Sequence, residues 1–246
     1  MAVGAHKITE EFERVVAEYT GAPYAIALDN MSNALFLALM WWGRDKPTGF
    51  LQFEKKPTPE EIEKIKNEWE KCFSNKKSMT FPIVYGIPKQ EIEIPSHTYP
   101  SVPCEIIHAG FKVKFLQAEG DTLTGPYQLS PSPVWDCALR FTSKMYVKGQ
   151  FQCLSFTGPY KHLKLSKGGM ILTDDAEAAR WFKRVRFSGR NECSYHDDNF
   201  DMIGWNFYMM PELAARGLLL MAGMKEHNED LTIKYPDLSK FKVYQQ

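Results

Sequence analysis

A short apolar run followed almost at once by a longer one limits the architectures that this chain can adopt. Residues 24–28 (YAIAL) have the length of a buried strand, and residues 30–42 (NMSNALFLALMWW) are apolar over a length that suits a buried helix. A strand joined to a helix by a short polar turn is a βα unit, in which the helix covers a sheet. The chain is therefore predicted to belong to the α/β class.

The same alternation of strands and helices continues along the chain. Helical spacing of Phe12, Val16 and Tyr19 predicts a first helix over residues 8–19. Further strands are predicted at residues 91–94, 112–116, 134–136, 152–156 and 168–173, helices at 99–109, 175–186 and 211–226, and a loop at 120–133. The pattern predicts a mainly parallel sheet flanked by helices, whose ligands bind at the carboxyl ends of the strands.

Two segments carry further expectations. In the helix predicted at residues 211–226, the apolar side chains available to the core are Leu213, Leu218, Leu220 and Met224. Residues 44–90 are rich in Lys, Glu and Pro, and residues 59–73 within them have the spacing of a surface helix that begins at a proline. We predict one domain over residues 1–246 with a charged helical insertion at residues 44–90.

Charge and composition exclude several classes of function. The 30 basic and 30 acidic residues balance, which argues against binding nucleic acid through an unopposed basic face. No apolar run reaches the roughly 18 residues of a membrane span, and the charges among residues 1–21 do not fit a secretory signal. The five cysteines lack CxxC spacing and the histidines lack i, i+4 spacing. We therefore expect reduced thiols, no metal site and a cytoplasmic protein.

Polar residues follow several of the predicted strands. Asn30 and Ser32 come after the first strand, residues 97–99 after the strand at 91–94, and Asp136 and residues 155–161 after the next two. Because the carboxyl ends of parallel strands lie along one edge of a sheet, these residues are expected to converge.

The order and local sequence of these segments resemble the DegT/DnrJ/EryC1/StrS family of sugar aminotransferases. The resemblance runs over most of the chain, through the segments FERVVAEYTGAPYAIAL, NALFLALMWWG, IPSHTYPSVPCEIIHAGFKVKF, VWDCA, SFTGPYKHLKLSKGGMILTDD and GWNFYMMPELAARGL. It implies the large domain of an aspartate-aminotransferase-like fold with pyridoxal 5'-phosphate (PLP) as cofactor. It also implies transamination of a nucleotide-linked keto-sugar with an amino acid donor such as glutamate, in a homodimer.

The resemblance assigns the reaction to two residues. Lys161 is similar to the lysine whose amine condenses with the cofactor aldehyde and later carries a proton. Asp136 is similar to the carboxylate that keeps the cofactor's ring nitrogen protonated. On residue type alone, Lys161 would be a solvated surface lysine and Asp136 an acid that caps the next segment.

Four further residues are implied to bind the cofactor. Tyr99 occupies the aromatic position that stacks on the ring, although such tyrosines are often core residues. Ser32, at a helix start, and Ser155 match residues that donate to the phosphate. Asn206 matches an asparagine that reaches the phosphate in a neighbouring subunit; its alternative is a turn or capping residue. His97, Arg140 and Tyr208 are further candidates for the substrate pocket.

The sequence departs from the family pattern at several points. Met31 replaces a glycine before Ser32, one extra residue lies between Phe156 and Lys161, and Leu139 stands where Gln or His is usual. Residues 115–134 are short for the family, and we expect most of the small C-terminal domain to be missing. Two alternatives follow: another PLP-dependent reaction such as a dehydration, or a non-catalytic member that binds a nucleotide-sugar or assembles with a partner protein.

Overall fold

The computed structural model describes residues 3–44, 58, 60, 63–64, 90–117 and 120–245. The predicted charged insertion falls almost entirely outside these residues. The described helices are α1 (Val3–Thr20), α2 (Met31–Gly43), α3 (Ser101–His108), α4 (Ala176–Val185) and α5 (Pro211–Met221). None of them is both long and apolar enough to cross a membrane.

The main sheet has five strands in the order β1-β8-β7-β6-β5. Its strands are β1 (Tyr24–Leu28), β5 (Tyr127–Gln128), β6 (Val134–Asp136), β7 (Phe151–Ser155) and β8 (Gly169–Thr173). The prediction of an α/β fold is confirmed, and the predicted strands at residues 24–28 and 134–136 have the expected bounds.

The prediction of a mainly parallel sheet is wrong, because the sheet is mixed. Only β6 and β7 pair in parallel, whereas β8 runs antiparallel to both β7 and β1, and β5 runs antiparallel to β6. The chain between β7 and β8, residues 156–168, contains turns and no helix, so the next strand returns beside β7 in the opposite direction. Since β8 opposes both of its neighbours, β1, β7 and β6 still end at the same edge.

Helices cover both faces of this sheet. Alternate side chains of a strand point to opposite faces, so Ile26 and Leu28 of β1 pack with α2 and α4, whereas Ala25 and Ala27 pack with α1 and α5. Helix α2 is buried over most of its length because it lies between the sheet and α3. The result is a helix–sheet–helix arrangement with a core on each face of the sheet.

Two smaller sheets lie beside the main one. Strands β2 (Glu91–Pro95) and β3 (Lys112–Leu116) pair in parallel, and β4 (Thr122–Thr124) pairs antiparallel with β9 (Thr232–Lys234). The loop predicted at residues 120–133 is therefore wrong in part, since it contains β4 and β5. Short 3-10 helices follow β9 at Leu238–Lys240 and Lys242–Tyr244.

Helix α5 is shorter than predicted, and three of the four predicted core residues, Leu213, Leu218 and Met224, are partly buried against the core. Its buried residues are Ala214, Gly217 and Met221, whereas the predicted core residue Leu220 is exposed. A side chain at Gly217 would collide with the buried ring of Phe12, so the close contact between α1 and α5 requires a small residue there. Of the described cysteines, all free thiols, Cys104 and Cys193 are only half-buried.

Candidate active site

A cavity of about 400 Å³ lies at the edge where β1, β6 and β7 end. Its size is within the range of roughly 300–1,000 Å³ that is typical of small-molecule sites. Five of the six predicted site residues line it: Ser32, Tyr99, Asp136, Ser155 and Lys161. The predicted convergence at strand ends holds for Ser32, Asp136, Ser155 and Lys161 because those three strands run the same way, whereas Tyr99 comes from the segment after a strand of another sheet.

Asp136, the last residue of β6, is a buried carboxylate with only 5% of its surface exposed. Its Oδ1 accepts from the backbone N–H of Ala138 at 2.9 Å, and its Oδ2 accepts from the Tyr127 hydroxyl at 3.0 Å. The Tyr127 hydroxyl also lies 2.6 Å from Thr98 Oγ1. Burial raises the pKa of Asp136, although both hydrogen bonds and the charge of Lys161 oppose this shift.

Lys161 lies in the turns after β7 and extends its amine into the same cavity. Its Nζ donates to the backbone oxygen of Ala138 at 2.7 Å. Burial lowers the pKa of Lys161, and the nearby Asp136 carboxylate acts in the opposite direction. The two backbone polar groups of Ala138 thus hold both residues, the N–H holding the carboxylate and the oxygen holding the amine. A lysine with a lowered pKa has the nucleophilic form of the amine more accessible, as carbonyl chemistry requires.

The N-terminus of α2 forms another side of the cavity. Asn30 caps the helix by accepting from the N–H of Asn33 at 2.8 Å, and Ser32 donates to Ser101 Oγ at 2.7 Å. N–H groups in the first turn of a helix have no partner within it and attract anions. Gly169 of β8 allows helix α2 to come this close to the strand. A side chain at that position would collide with the backbone of Asn30 and Met31.

Several hydroxyl groups and a cation accompany this helix end. Ser155 and Thr157 line the cavity, and Thr157 Oγ1 accepts from the N–H of Gly168 at 3.2 Å. Lys167 also lines it, with Nζ 3.4 Å from Asp29 Oδ2. This end of the cavity therefore combines a helix N-terminus, hydroxyl donors and a positive charge, which is a donor set suited to a phosphate group.

Aromatic rings form a further side of the cavity. Tyr99 is 58% exposed, so it is not a core residue, and its ring centroid lies 6.4 Å from that of Tyr235 in an edge-to-face arrangement. Ile233 of β9 and Tyr235, the residue that follows β9, complete this side of the cavity. Four residues of the site are not identified from the sequence: Tyr127 and Tyr235 lie outside the segments that resemble the family, and Ser101 and Lys167 lie within them at positions to which the resemblance assigns no role.

The remaining candidates lie outside the cavity lining. Asn206 is exposed and pairs with Phe187 in an isolated β-bridge. His97 bonds the Tyr235 backbone oxygen at 2.7 Å, Arg140 forms a two-pronged ion pair with Asp230, and Tyr208 lines a different cavity of about 220 Å³. Within the described residues, no group of His, Cys, Asp and Glu is arranged to hold a metal ion.

The departures noted in the sequence have defined positions. Met31 lines the cavity at the start of α2 and is 8% exposed, so its side chain occupies space beside the helix N-terminus. Leu139 is buried, with 1% of its surface exposed, and is not among the lining residues.

Several solved structures of aminotransferases and related enzymes share this fold at low sequence identity. Helicobacter pylori PseC, an aminotransferase of pseudoaminic acid biosynthesis, superposes with a TM-score of 0.59 at 14% identity, over 88% of this chain and 58% of its own. The sugar aminotransferase CalS13 from Micromonospora echinospora gives 0.57 at 15% identity, over 87% and 60%. The dehydratase ColD, solved with bound GDP-perosamine, gives 0.56 at 14% identity, over 89% and 61%.

The sequence identifies the family. The profile of the DegT/DnrJ/EryC1/StrS aminotransferase family matches residues 4–48 and 143–232, which is more than half of the chain. The chain therefore belongs to this family, which is PLP-dependent, and the predicted resemblance is confirmed. It spans about three-fifths of the length of the solved relatives. A comparison with curated proteins finds no match. Ser32, Ser155, Lys161 and Asn206 lie in the matched segments, whereas Tyr99 and Asp136 lie between them.

Proposed function

We propose that this protein is a PLP-dependent aminotransferase that transfers an amino group from a donor such as glutamate to a nucleotide-linked keto-sugar. The observation that carries the proposal is the arrangement of Asp136 and Lys161 on the two backbone groups of Ala138 in one cavity. The sugar and nucleotide parts of the proposal draw on relatives that are a sugar aminotransferase and a dehydratase with a bound nucleotide-sugar.

The residues of the cavity fit the cofactor of the family. Asp136 is a buried carboxylate without an ion pair among the described residues, and Lys161 is an amine with a lowered pKa. The phosphate-suited donor set lies at the α2 end, and Tyr99 offers an exposed ring. PLP, when bound, supplies an aldehyde and an aromatic ring that takes up electrons when a substrate C–H bond breaks.

Each residue then has a defined task. Asp136 holds a proton at the ring nitrogen, because an anion beside that atom stabilises its charged form. Lys161 would hold the cofactor through its amine, which would condense with the cofactor aldehyde with loss of water, and the same amine would move a proton at the substrate carbon. Tyr99 covers a face of the ring, while Ser32 and Ser155 hold the phosphate at the start of α2. Asn206 acts on the phosphate of a neighbouring subunit, so the active form is a homodimer.

The test is whether PLP attaches to Lys161. Protein titrated with PLP is expected to develop the absorbance of a lysine-bound cofactor, and borohydride reduction followed by peptide mapping is expected to find a pyridoxyl group on Lys161. Lys161→Ala should abolish this label, whereas Lys164→Ala, at an exposed lysine of the same turn, should retain it. Absence of the label, or a label that survives Lys161→Ala, would favour a non-catalytic family member that binds a nucleotide-sugar or a partner protein.

Lys167 gives a second prediction, for the phosphate end of the cavity. Lys167→Gln is expected to weaken PLP binding by up to about fivefold, the limit of roughly 1 kcal/mol for an exposed charge pair. Binding of pyridoxal, which lacks the phosphate, should not change. Lys164→Gln is the matched control. Equal losses for PLP and pyridoxal, measured by absorbance titration, would show that Lys167 does not act on the phosphate.

A further inference from the structure

The chain returns to the cavity after α5 through a segment of residues 231–241, which we call the C-terminal strap. It is fixed by backbone hydrogen bonds to three separate parts of the fold. Leu231 N–H donates to Leu139 O at 2.8 Å, Tyr235 N–H to Asp121 O at 3.0 Å, and Leu238 N–H to Ser96 O at 2.9 Å. The pairing of β9 with β4 and the buried side chain of Leu238 add to this attachment. The strap is therefore a fixed part of the fold.

The strap presents one side to the cavity. Its residues 232–237 alternate between exposed and half-buried, as expected for an extended segment with one inward side. Two of the inward residues, Ile233 and Tyr235, line the cavity together with Lys161 and Asp136. The rings of Tyr235 and Tyr99 pack in an edge-to-face arrangement. Burial together with the Asp136 charge raises the pKa of Tyr235 to about 12. The Tyr235 side chain is therefore uncharged at neutral pH and presents its aromatic ring to the cavity.

We propose that Tyr235 and Ile233 form a fixed wall that limits the width of the opening to the Lys161 amine. Almost all of this segment lies beyond residue 232, where the match to the family profile ends. Small carbonyl compounds and small amines pass this wall, as does the narrow end of a larger molecule. Molecules that are bulky at the reacting end are excluded. Its meaning for substrate choice rests on the proposed function, but the restriction itself does not require the cofactor.

The test measures access to Lys161 in the unliganded full chain. The protein is labelled in parallel with two amine-reactive reagents, the small acetic anhydride and the bulky N-hydroxysuccinimide ester of biotin. The labelled lysines are then identified by mass spectrometry. The ratio of bulky to small label on Lys161 is divided by the same ratio on the exposed Lys164. Tyr235→Ala is expected to raise this normalised ratio by about tenfold, which corresponds to removal of a steric barrier of about 1.4 kcal/mol. Tyr235→Phe, which keeps the ring, should leave it unchanged.

Tyr244→Ala is the matched control. Tyr244 is a tyrosine of the same C-terminal region, but its ring packs against Phe115 at 6.3 Å and is not part of the cavity wall. If Tyr235→Ala does not fold, Ile233→Ala removes less of the same wall and is expected to raise the ratio by a smaller factor. An unchanged ratio in the folded variants, or an equal rise in Tyr244→Ala, would overturn the proposal.

The two proposals fail separately. A chain that never attaches PLP but whose labelling ratio responds to Tyr235→Ala would lose the proposed function and keep the wall. A chain that attaches PLP at Lys161 but whose ratio is insensitive to Tyr235 would keep the function and lose the wall.

Discussion

Replacing Asp136 by Asn is expected to slow amino-group transfer by about 10²- to 10³-fold, the usual cost of losing one preorganised charge in a site, while stabilising the unliganded protein at neutral pH. The loss of rate is expected because an amide cannot hold the proton at the ring nitrogen. The gain in stability is expected because the buried carboxylate is disfavoured in its charged form. The local hydrogen bonds tolerate the change, since the Tyr127 hydroxyl is able to accept from the new amide and donate to Thr98.

The stability effect has a defined dependence on pH. A carboxyl group whose pKa is higher in the folded state binds its proton more tightly there, so folding stability is lost as the pH rises from the unfolded pKa of about 3.9 through the folded one. Asn does not titrate. The advantage of Asp136→Asn should therefore be larger at about pH 7 than at about pH 4.

Two measurements check this prediction. Single-turnover transfer from glutamate gives the rate, and urea unfolding midpoints at the two pH values give the stability. Asp121→Asn, at an exposed acid paired with Lys234, is the control and should change neither quantity. An unchanged rate, or a variant less stable than the wild type at neutral pH, would contradict the roles given to Asp136.

Replacing Arg186 by Met is expected to lower the free energy of unfolding by about 3–5 kcal/mol, the typical cost of breaking a buried ion pair. Arg186 and Glu13 are 3% and 4% exposed and form an ion pair. Arg186 also donates to the backbone oxygen of Ala27 at 2.6 Å and lies 3.3 Å from Glu192. This cluster joins α1, β1 and the end of α4. Its loss leaves the buried Glu13 carboxylate with Lys183, 3.6 Å away, as its remaining ion-pair partner among the described residues.

A double-mutant cycle separates the ion pair from the surrounding packing. Glu13→Gln keeps an oxygen for the Ala27 N–H, which donates to Glu13 at 2.8 Å in the wild type. Adding Glu13→Gln to Arg186→Met should recover part of the lost stability, because no unpaired charge remains. Arg14→Met is the surface control on the same helix: its pairs with Glu11 and Glu18 are exposed, and its unfolding in urea should match the wild type closely. A destabilisation as small as that of the control would show that the buried pair contributes little.

Local pattern and strand ends were enough to predict much of the fold and most of the candidate site. The runs at residues 24–28 and 112–116 are short, apolar at alternate or all positions and bounded by turn residues, and both form strands with those bounds. Ser32, Asp136, Ser155 and Lys161 meet in one cavity because β1, β6 and β7 end at the same edge, and Tyr99 joins them from the segment after β2. These features depend on neighbours in the sequence, which is why a single sequence reveals them.

Long-range pairing could not be predicted in the same way. The antiparallel direction of β8 depends on how residues 156–168 turn, and the pairing of β4 with β9 joins segments more than a hundred residues apart. Tyr235 therefore gave no local signal of its position beside Tyr99. The packing of α5 shows a related limit, because Gly217 is buried through its fit to Phe12 and not through its own hydrophobicity.

The backbone of Ala138 sets the distance between the Asp136 carboxylate and the Lys161 amine, and its amide proton can be used to monitor the site. Because its backbone N–H and oxygen, and not its side chain, set the positions of Asp136 and Lys161, the separation of carboxylate and amine is encoded by one residue's main chain and is insensitive to the identity of the side chain there. The Ala138 amide proton is held in that half-buried hydrogen bond, so its rate of exchange with deuterium would record how often the bond to the carboxylate breaks. A single resonance in an NMR spectrum would thus follow the integrity of the site with no substrate present.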